Sequence, residues 1–191
     1  IGGAYQYLDL MGGARPGLLV QVDNGLGKST RIDYATSTSE MLSAAQSGGA
    51  CDATGKPWSS PWCTTMPVVT HVVKRVTESD NLSMLGSVND IVTEYSYRDP
   101  LFEARQREFR GFRMTRVKQI GDTTSPTALS DSEFLLGECE DETVGAFDNG
   151  VNDCADAALD NPREALKGVP VVTNKYSETG VYLSTNETSY R

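Results

Sequence analysis

Histidine is almost missing from this sequence: His71 is the only one in 191 residues, beside four cysteines and two tryptophans. That scarcity narrows the chemistry. A Ser-His-Asp site would have to use His71, which sits among Val69, Val72 and Val73 in a β-branched run where a histidine packs rather than catalyses. No Gly-x-Ser-x-Gly elbow is present. No pair of cysteines has Cys-x-x-Cys spacing, so a structural zinc site would need nearly all four thiols. No run of about 18 apolar residues occurs, which leaves no candidate for a membrane-spanning helix. Positive charge is the minority, with 17 basic against 26 acidic residues and a net charge of −9, and a nucleic-acid partner would call for the reverse. An initiator methionine and a basic-then-apolar leader are lacking too, and the chain reads as a piece of a longer or processed polypeptide.

What is present is a series of short β runs divided by Gly, Asn, Asp, Ser and Pro. "LLVQV" (18–22) and "STRIDY" (29–34) flank "DNGLGK", a link suited to a hairpin. "VVTHVVKRVT" (68–77) is β-branched almost throughout. "IVTEYSY" (91–97) sets Ile91, Thr93, Tyr95 and Tyr97 on one face against Val92, Glu94 and Ser96 on the other. "GFRMTRVKQI" (111–120) alternates similarly, and "VPVVTNKY" with "VYLSTNETSY" forms a closing pair joined by "SETG". Helical signal is thin. Ser37-x-x-Glu40 resembles a capping box before "MLSAAQ". "NDCADAALDNPREALKG" has room for one or two short helices, broken around Pro162 and stopped at Gly168. The expected fold is mainly β, in antiparallel hairpins, with one or two short helices.

Four stretches invite a chemical reading. Gly27-Lys28-Ser29 matches the end of a phosphate-binding loop, but Val22 stands where the leading glycine belongs and "STRIDY" has strand rather than helix spacing. Gly25 and Gly27 are therefore turn residues. "ECEDETVGAFDNGVNDCAD" offers oxygen ligands at Asp141, Glu142, Asp148, Asn149, Asn152, Asp153 and Asp156, yet its register from Asp148 is not that of an EF-hand. A solvated acidic loop is the plainer reading. "YRDPLFEARQREFRGFRMTRV" mixes arginine with aromatics as single-strand binders do, but Asp99, Glu103 and Glu108 are interleaved, which fits strand-face ion pairs over an aromatic core. The cysteines read as two local disulfides, Cys51–Cys63 and Cys139–Cys154, each contributing on the order of 3 kcal/mol in an oxidising compartment. Four buried free thiols are the alternative.

Taken together, these strings resemble the B component of insecticidal toxin complexes and the related Rhs, or YD-repeat, toxins. "YSYRDPLFEARQREFRGFRMTRV" is similar to the family's tyrosine-rich strand and "REFRGF" segment, and "LLVQVDNGLGKSTRIDYATST" to its Asn-Gly-Leu-Gly hairpin. "WSSPWCTTMPVVTHVVKRV" resembles its Trp then Pro-Val strand, and "ALKGVPVVTNKYSETG" its Ala-Leu-Lys-Gly strand and turn. "YLDLMGGARPGLL" resembles the end of a calcium-loop propeller repeat. There, only Asp9 is kept among the acidic ligands, with Met11, Gly13 and Gly17 where Asn or Asp would stand.

The resemblance implies a single β-rich segment, 1–191, of a larger secreted virulence protein. Residues 1–17 would end a propeller blade and 18–191 would supply shell strands. It implies a non-enzymatic role in the wall enclosing a toxic cargo, with the rest of the shell, its partner component and that cargo as partners, and no cofactor or metal. Tyr95, Tyr97, Phe102, Phe109 and Phe112 would pack between strands, Gly111 would permit a bend, and Arg107, Glu108 and Arg110 would pair across strands. Gly25, Gly27 and Gly168 would shape turns. The competing expectation is an extracellular or cell-surface binding module using its acidic loop for calcium or a receptor.

Overall fold

The β-branched and aromatic runs do become strands, and they pair in the order in which they are written. The computed structural model describes residues 16–52, 57–81, 90–122, 124–138 and 162–189. Eight strands form one antiparallel sheet: β1 (Gln21–Asp23), β2 (Ser29–Thr36), β3 (His71–Ser79), β4 (Asp90–Glu103), β5 (Glu108–Gln119), β6 (Ala128–Phe134), β7 (Pro170–Ser177) and β8 (Tyr182–Glu187). Each of the inner strands β2 to β7 lies between its two neighbours in sequence, an unbroken meander. Helix α1 (Ser37–Ala45) follows β2, and 3-10 turns cover Pro57–Ser59 and Pro162–Leu166.

The Gly-Lys-Ser-Thr string is a hairpin bend. Lys28 N–H returns to Asn24 Oδ1 at 3.0 Å, and Ser29 opens β2. Gly25 and Gly27 have φ of 71° and 104°, a region that side chains with a Cβ disfavour. The β3 run begins at His71 rather than Val68, because Thr70 is diverted to α1: Ser37 N–H donates to its carbonyl at 2.8 Å and its own N–H donates to Ser37 Oγ at 3.0 Å. That diversion also moves the helix cap. Thr36, not Ser37, is the N-cap, and its partner in the capping box is Ser39, not Glu40. Glu40 instead accepts from Lys74 Nζ at 2.8 Å.

Strand β6 had no expectation. Its "ALSDSEF" is poor in β-branched and aromatic residues, so propensity is silent. Pairing on both sides supplies what propensity lacks: Asp131 stands between Arg116 of β5 and Asn174 of β7. Of the region expected to hold short helices, the part described is the 3-10 turn Pro162–Leu166, followed by Gly168 at φ 80°.

Register sorts side chains onto two faces of unlike chemistry, since adjacent rows point in opposite directions. One row runs Tyr97, Thr115, Ser132, Thr173, Asn186 across five strands, with Ser132 Oγ and Thr173 Oγ1 3.0 Å apart. The adjacent row, on the opposite face, runs Ser96, Arg116, Asp131, Asn174, Thr185. Sharing that second face is a ladder of alternating sign, Asp33, Arg75, Glu94, Lys118. Fully buried apolar side chains are few: among the described residues the core is Val72, Phe112, Leu135, Leu136 and Val171.

Candidate functional site

A well-buried part of the described structure lies where β4 and β5 meet the segment 57–64. The sequence "YRDP" places an arginine, an aspartate and a proline in succession on β4, and Arg98, Asp99 and Pro100 are all buried. Asp99 has φ of 52°, one of three non-glycine residues with positive φ among those described. Aspartate tolerates that conformation better than most residues. Its carboxylate faces two ways. Oδ2 accepts a hydrogen bond from Arg98 Nε–H at 2.7 Å, while Oδ1 accepts from the backbone N–H of Cys63 at 2.5 Å and of Thr64 at 3.3 Å. Arg98 Nη2 reaches on to the Pro61 carbonyl at 2.9 Å, and Thr64 Oγ1 donates to the Pro100 carbonyl at 2.8 Å. A buried ion pair holds only when further hydrogen bonds satisfy it; here those bonds clamp an irregular segment onto the sheet.

The clamped segment carries the Cys51–Cys63 disulfide, which closes a loop whose ends are 12 residues apart. Ser60 ties the same loop internally, accepting from Asp52 N–H at 3.1 Å. Cys139 and Cys154, the other expected pair, lie outside the described residues, as do the acidic loop's oxygen ligands and Asp9, Met11 and Gly13.

Aromatic rings fill the space beneath the clamp. Phe112 is the hub, with ring centroids 5.9 Å from Trp62, 5.0 Å from Tyr97 and 5.3 Å from Phe109. Phe102 stands opposite Phe109 in register, and Tyr95 opposite Val117. Tyr97 donates its hydroxyl to the Val73 carbonyl at 2.9 Å. Burial, reinforced by Tyr95 and Glu40, pushes its pKa up to about 12. Gly111, with φ of 116°, lies beside the register shift between Leu101 and Phe102. Beyond the hub, Arg116 stacks 4.7 Å over the Trp58 ring and holds Asp131 with two bonds of 2.6 and 2.7 Å.

A second charged cluster lies at the other end of the β4–β5 hairpin. Buried Arg110 donates to the Gly137 carbonyl at 2.7 Å and to Gln106 Oε1 at 2.8 Å, and approaches Glu164 at 3.5 Å. Lys167 donates to both oxygens of Glu108, at 2.7 and 2.8 Å. That hydrogen bond is the main reason the Glu108 carboxyl is held below its usual range. Glu108 and Arg110 are paired, but not across strands as expected: Lys167, Gln106, Gly137 and Glu164 all lie outside the strands, and the residue opposite Glu108 in register is Glu103. Arg107, however, is in the turn, at φ of 55°, and not on the strand. The tight turn has no room for a residue in extended conformation there.

The charged groups therefore act as struts between backbone segments. The Arg98 and Asp99 clamp was not foreseen as buried, and the "Asp-Pro" step inside a strand run was the only sign of it.

Residues 3–139 match the family model for the insecticide toxin TcdB middle/N-terminal region. The chain belongs to that toxin family. Solved structures agree with the TcdB assignment in fold. The crystal structure of TcdB2-TccC3 without its hypervariable C-terminal region superposes with a TM-score of 0.65 at 19% identity, covering 91% of this chain and 9% of that one. The Photorhabdus luminescens Tc holotoxin pore gives 0.63 at 17%, covering 90% and 9%. The TcdB2-TccC3-TEV structure gives 0.64 at 19%, covering 91% and 9%. At such identity the likeness is one of fold. No curated protein matches the chain.

Proposed function

We propose that this segment is a structural, non-enzymatic piece of wall in a secreted toxin complex, helping to enclose a toxic cargo, with the remaining shell and a partner component as its neighbours. The observation that carries the reading is that, among the described residues, a broad meander has only a small core. Two layers around one core are the usual solution for a self-sufficient domain. This sheet instead keeps most strand side chains only half-buried, and its outermost strands β1 and β8 are exposed at every residue. Membership of the TcdB family supplies the setting, and the described charged residues support it by fastening backbone to backbone. No helix among the described residues is long and apolar enough to cross a membrane.

The test is electron microscopy and limited proteolysis of the full-length parent assembled with its partner. A hollow particle with a protease-protected interior chain is the expected result. A compact particle without a cavity, or an interior chain digested as fast as free polypeptide, would sink the reading.

A further inference from the structure

The Cys51–Cys63 bridge lies at the outer end of a network whose inner end is shut away from water. Both cysteines are exposed, whereas Ser60, Arg98 and Asp99 are 8%, 1% and 4% exposed. Hydrogen bonds run from one end to the other. Cys63 N–H donates to one oxygen of Asp99, the other oxygen accepts from Arg98 Nε–H, and Arg98 Nη2 donates to the Pro61 carbonyl. Beside Cys51, the Asp52 N–H donates to Ser60 Oγ at 3.1 Å.

The bridged segment also grips the sheet through its rings. Trp58 lies under the Arg116 guanidinium, which in turn holds Asp131 of β6, and Trp62 meets the edge of Phe112. The state of one covalent bond at the surface is thus connected to the buried centre of β4 and β5. Exposed disulfides are the more readily reduced kind. Neither cysteine is buried, so opening this one leaves no cavity in the core. It removes a ring closure from the chain, while the bonds to Asp99 and Ser60 remain available to hold the segment in place. Reduction should therefore loosen the cover without unfolding what lies beneath it.

We propose that Cys51–Cys63 is a redox latch. Closed, it stiffens the cover that residues 57–64 make over the Arg98–Asp99 pair; opened by a low-molecular-weight thiol of the glutathione class, it leaves that cover hinged at Cys63 and Thr64. In the first step the thiolate of the reductant attacks one cysteine sulfur. The Cys51–Cys63 bond breaks, and its electron pair leaves on the other cysteine, which takes a proton from water. A second reductant thiolate then attacks the mixed disulfide, so that both cysteines end as thiols and the two reductant molecules leave joined as their own disulfide. The latch stays shut where disulfides persist and opens where thiols are kept reduced. This chemistry stands apart from the wall reading and does not depend on it.

The experiment is hydrogen exchange read by mass spectrometry on the full-length parent, with and without a glutathione buffer, and with alkylation of Cys51 and Cys63 mapped in the same samples. In the folded parent, thiol should make both cysteines alkylatable and speed exchange within 57–64 by about tenfold or more, while amides 112–119 of β5 keep their protection. Cys51→Ser combined with Cys63→Ser should exchange fast at 57–64 in both buffers. Should that variant fail to fold, the unsubstituted parent, reduced and then capped with iodoacetamide, is read in the same way. Cysteines that are alkylatable without thiol, or only under denaturant, overturn the proposal. So does alkylation with exchange at 57–64 unchanged. Loss of protection throughout β5 would make the bridge a staple of the fold, and an equal response to thiol in the double-serine variant would place the responsive bond elsewhere; either result overturns the latch.

Discussion

The centre of the sheet and its rims are held by different means. In β4 and β5 the backbone is fixed by buried charge and by rings: Arg98 and Asp99 clamp the segment 57–64, and Phe112 gathers Trp62, Tyr97 and Phe109. At β1 and β8 no buried ion pair occurs among the described residues, β8 has a single ring contact (Tyr182 with Tyr176 at 6.1 Å), and each strand is exposed along its whole length. Unpaired strand edges are normally blunted in a free-standing protein. The contrast teaches that the middle is built to hold itself, while the exposed rims are what the proposed wall reading would have neighbours complete.

The sharpest way to break that contrast is Asp99→Asn. Asparagine keeps the positive φ but leaves Arg98 buried without a counter-charge, so a loss of about 3–5 kcal/mol is expected in chemical denaturation. An effect below about 1 kcal/mol would mean the clamp is not what holds the centre. Replacing both Cys51 and Cys63 by serine should cost less, about 2–3 kcal/mol, because the loop stays pinned by Asp99 and Ser60. Urea midpoints with and without reductant check it. Gly111→Ala isolates the backbone term, since a Cβ there would meet Leu136 Cδ2 only at an ordinary 3.7 Å. The expected cost is about 1–3 kcal/mol from the positive φ alone.

Tyr97 gives a pH test of the same centre. Its folded pKa lies near 12 against an ordinary 10.0, so the unfolded chain loses this proton first. Its contribution is intact below pH 10 and is lost as pH climbs towards 12. Tyr97→Phe should flatten that alkaline decline. The smallest effect belongs to the exposed ladder: Arg75, 3.7 Å from Glu94 with both side chains well exposed, should change stability by less than about 0.5 kcal/mol when made alanine. A larger loss there would blur the distinction between a clamped centre and a solvated face.

Sequence pattern revealed the strands whose propensity and periodicity agree. β4, β5 and the closing β7–β8 pair follow alternation, and the Asn-Gly-Leu-Gly bend between β1 and β2 was legible because strand spacing on both sides leaves the glycines only a turn to make. β6 was not legible, since Ser, Asp and Glu become a strand there through partners supplied by β5 and β7. The cap of α1 slipped by one residue because Ser37 is used by Thr70, a contact 33 residues away. For the same reason the burial of Arg98 and Asp99 could not be read from spacing: their partners lie 35 to 38 positions earlier. The charge pattern showed that acids and arginines would pair, but not which pair would be shut away from water.

The strictly sequential order of the meander bears on how such a sheet is made. Each strand finds its template in the one synthesised just before it, so no segment has to wait for a distant partner before it can pair. The long excursions after α1 and after β6 delay the next strand without changing where it goes. A chain interrupted midway would therefore hold a narrower sheet with the same register. Growth could proceed from the ribosome outward, one strip at a time, as planks are laid along a hull.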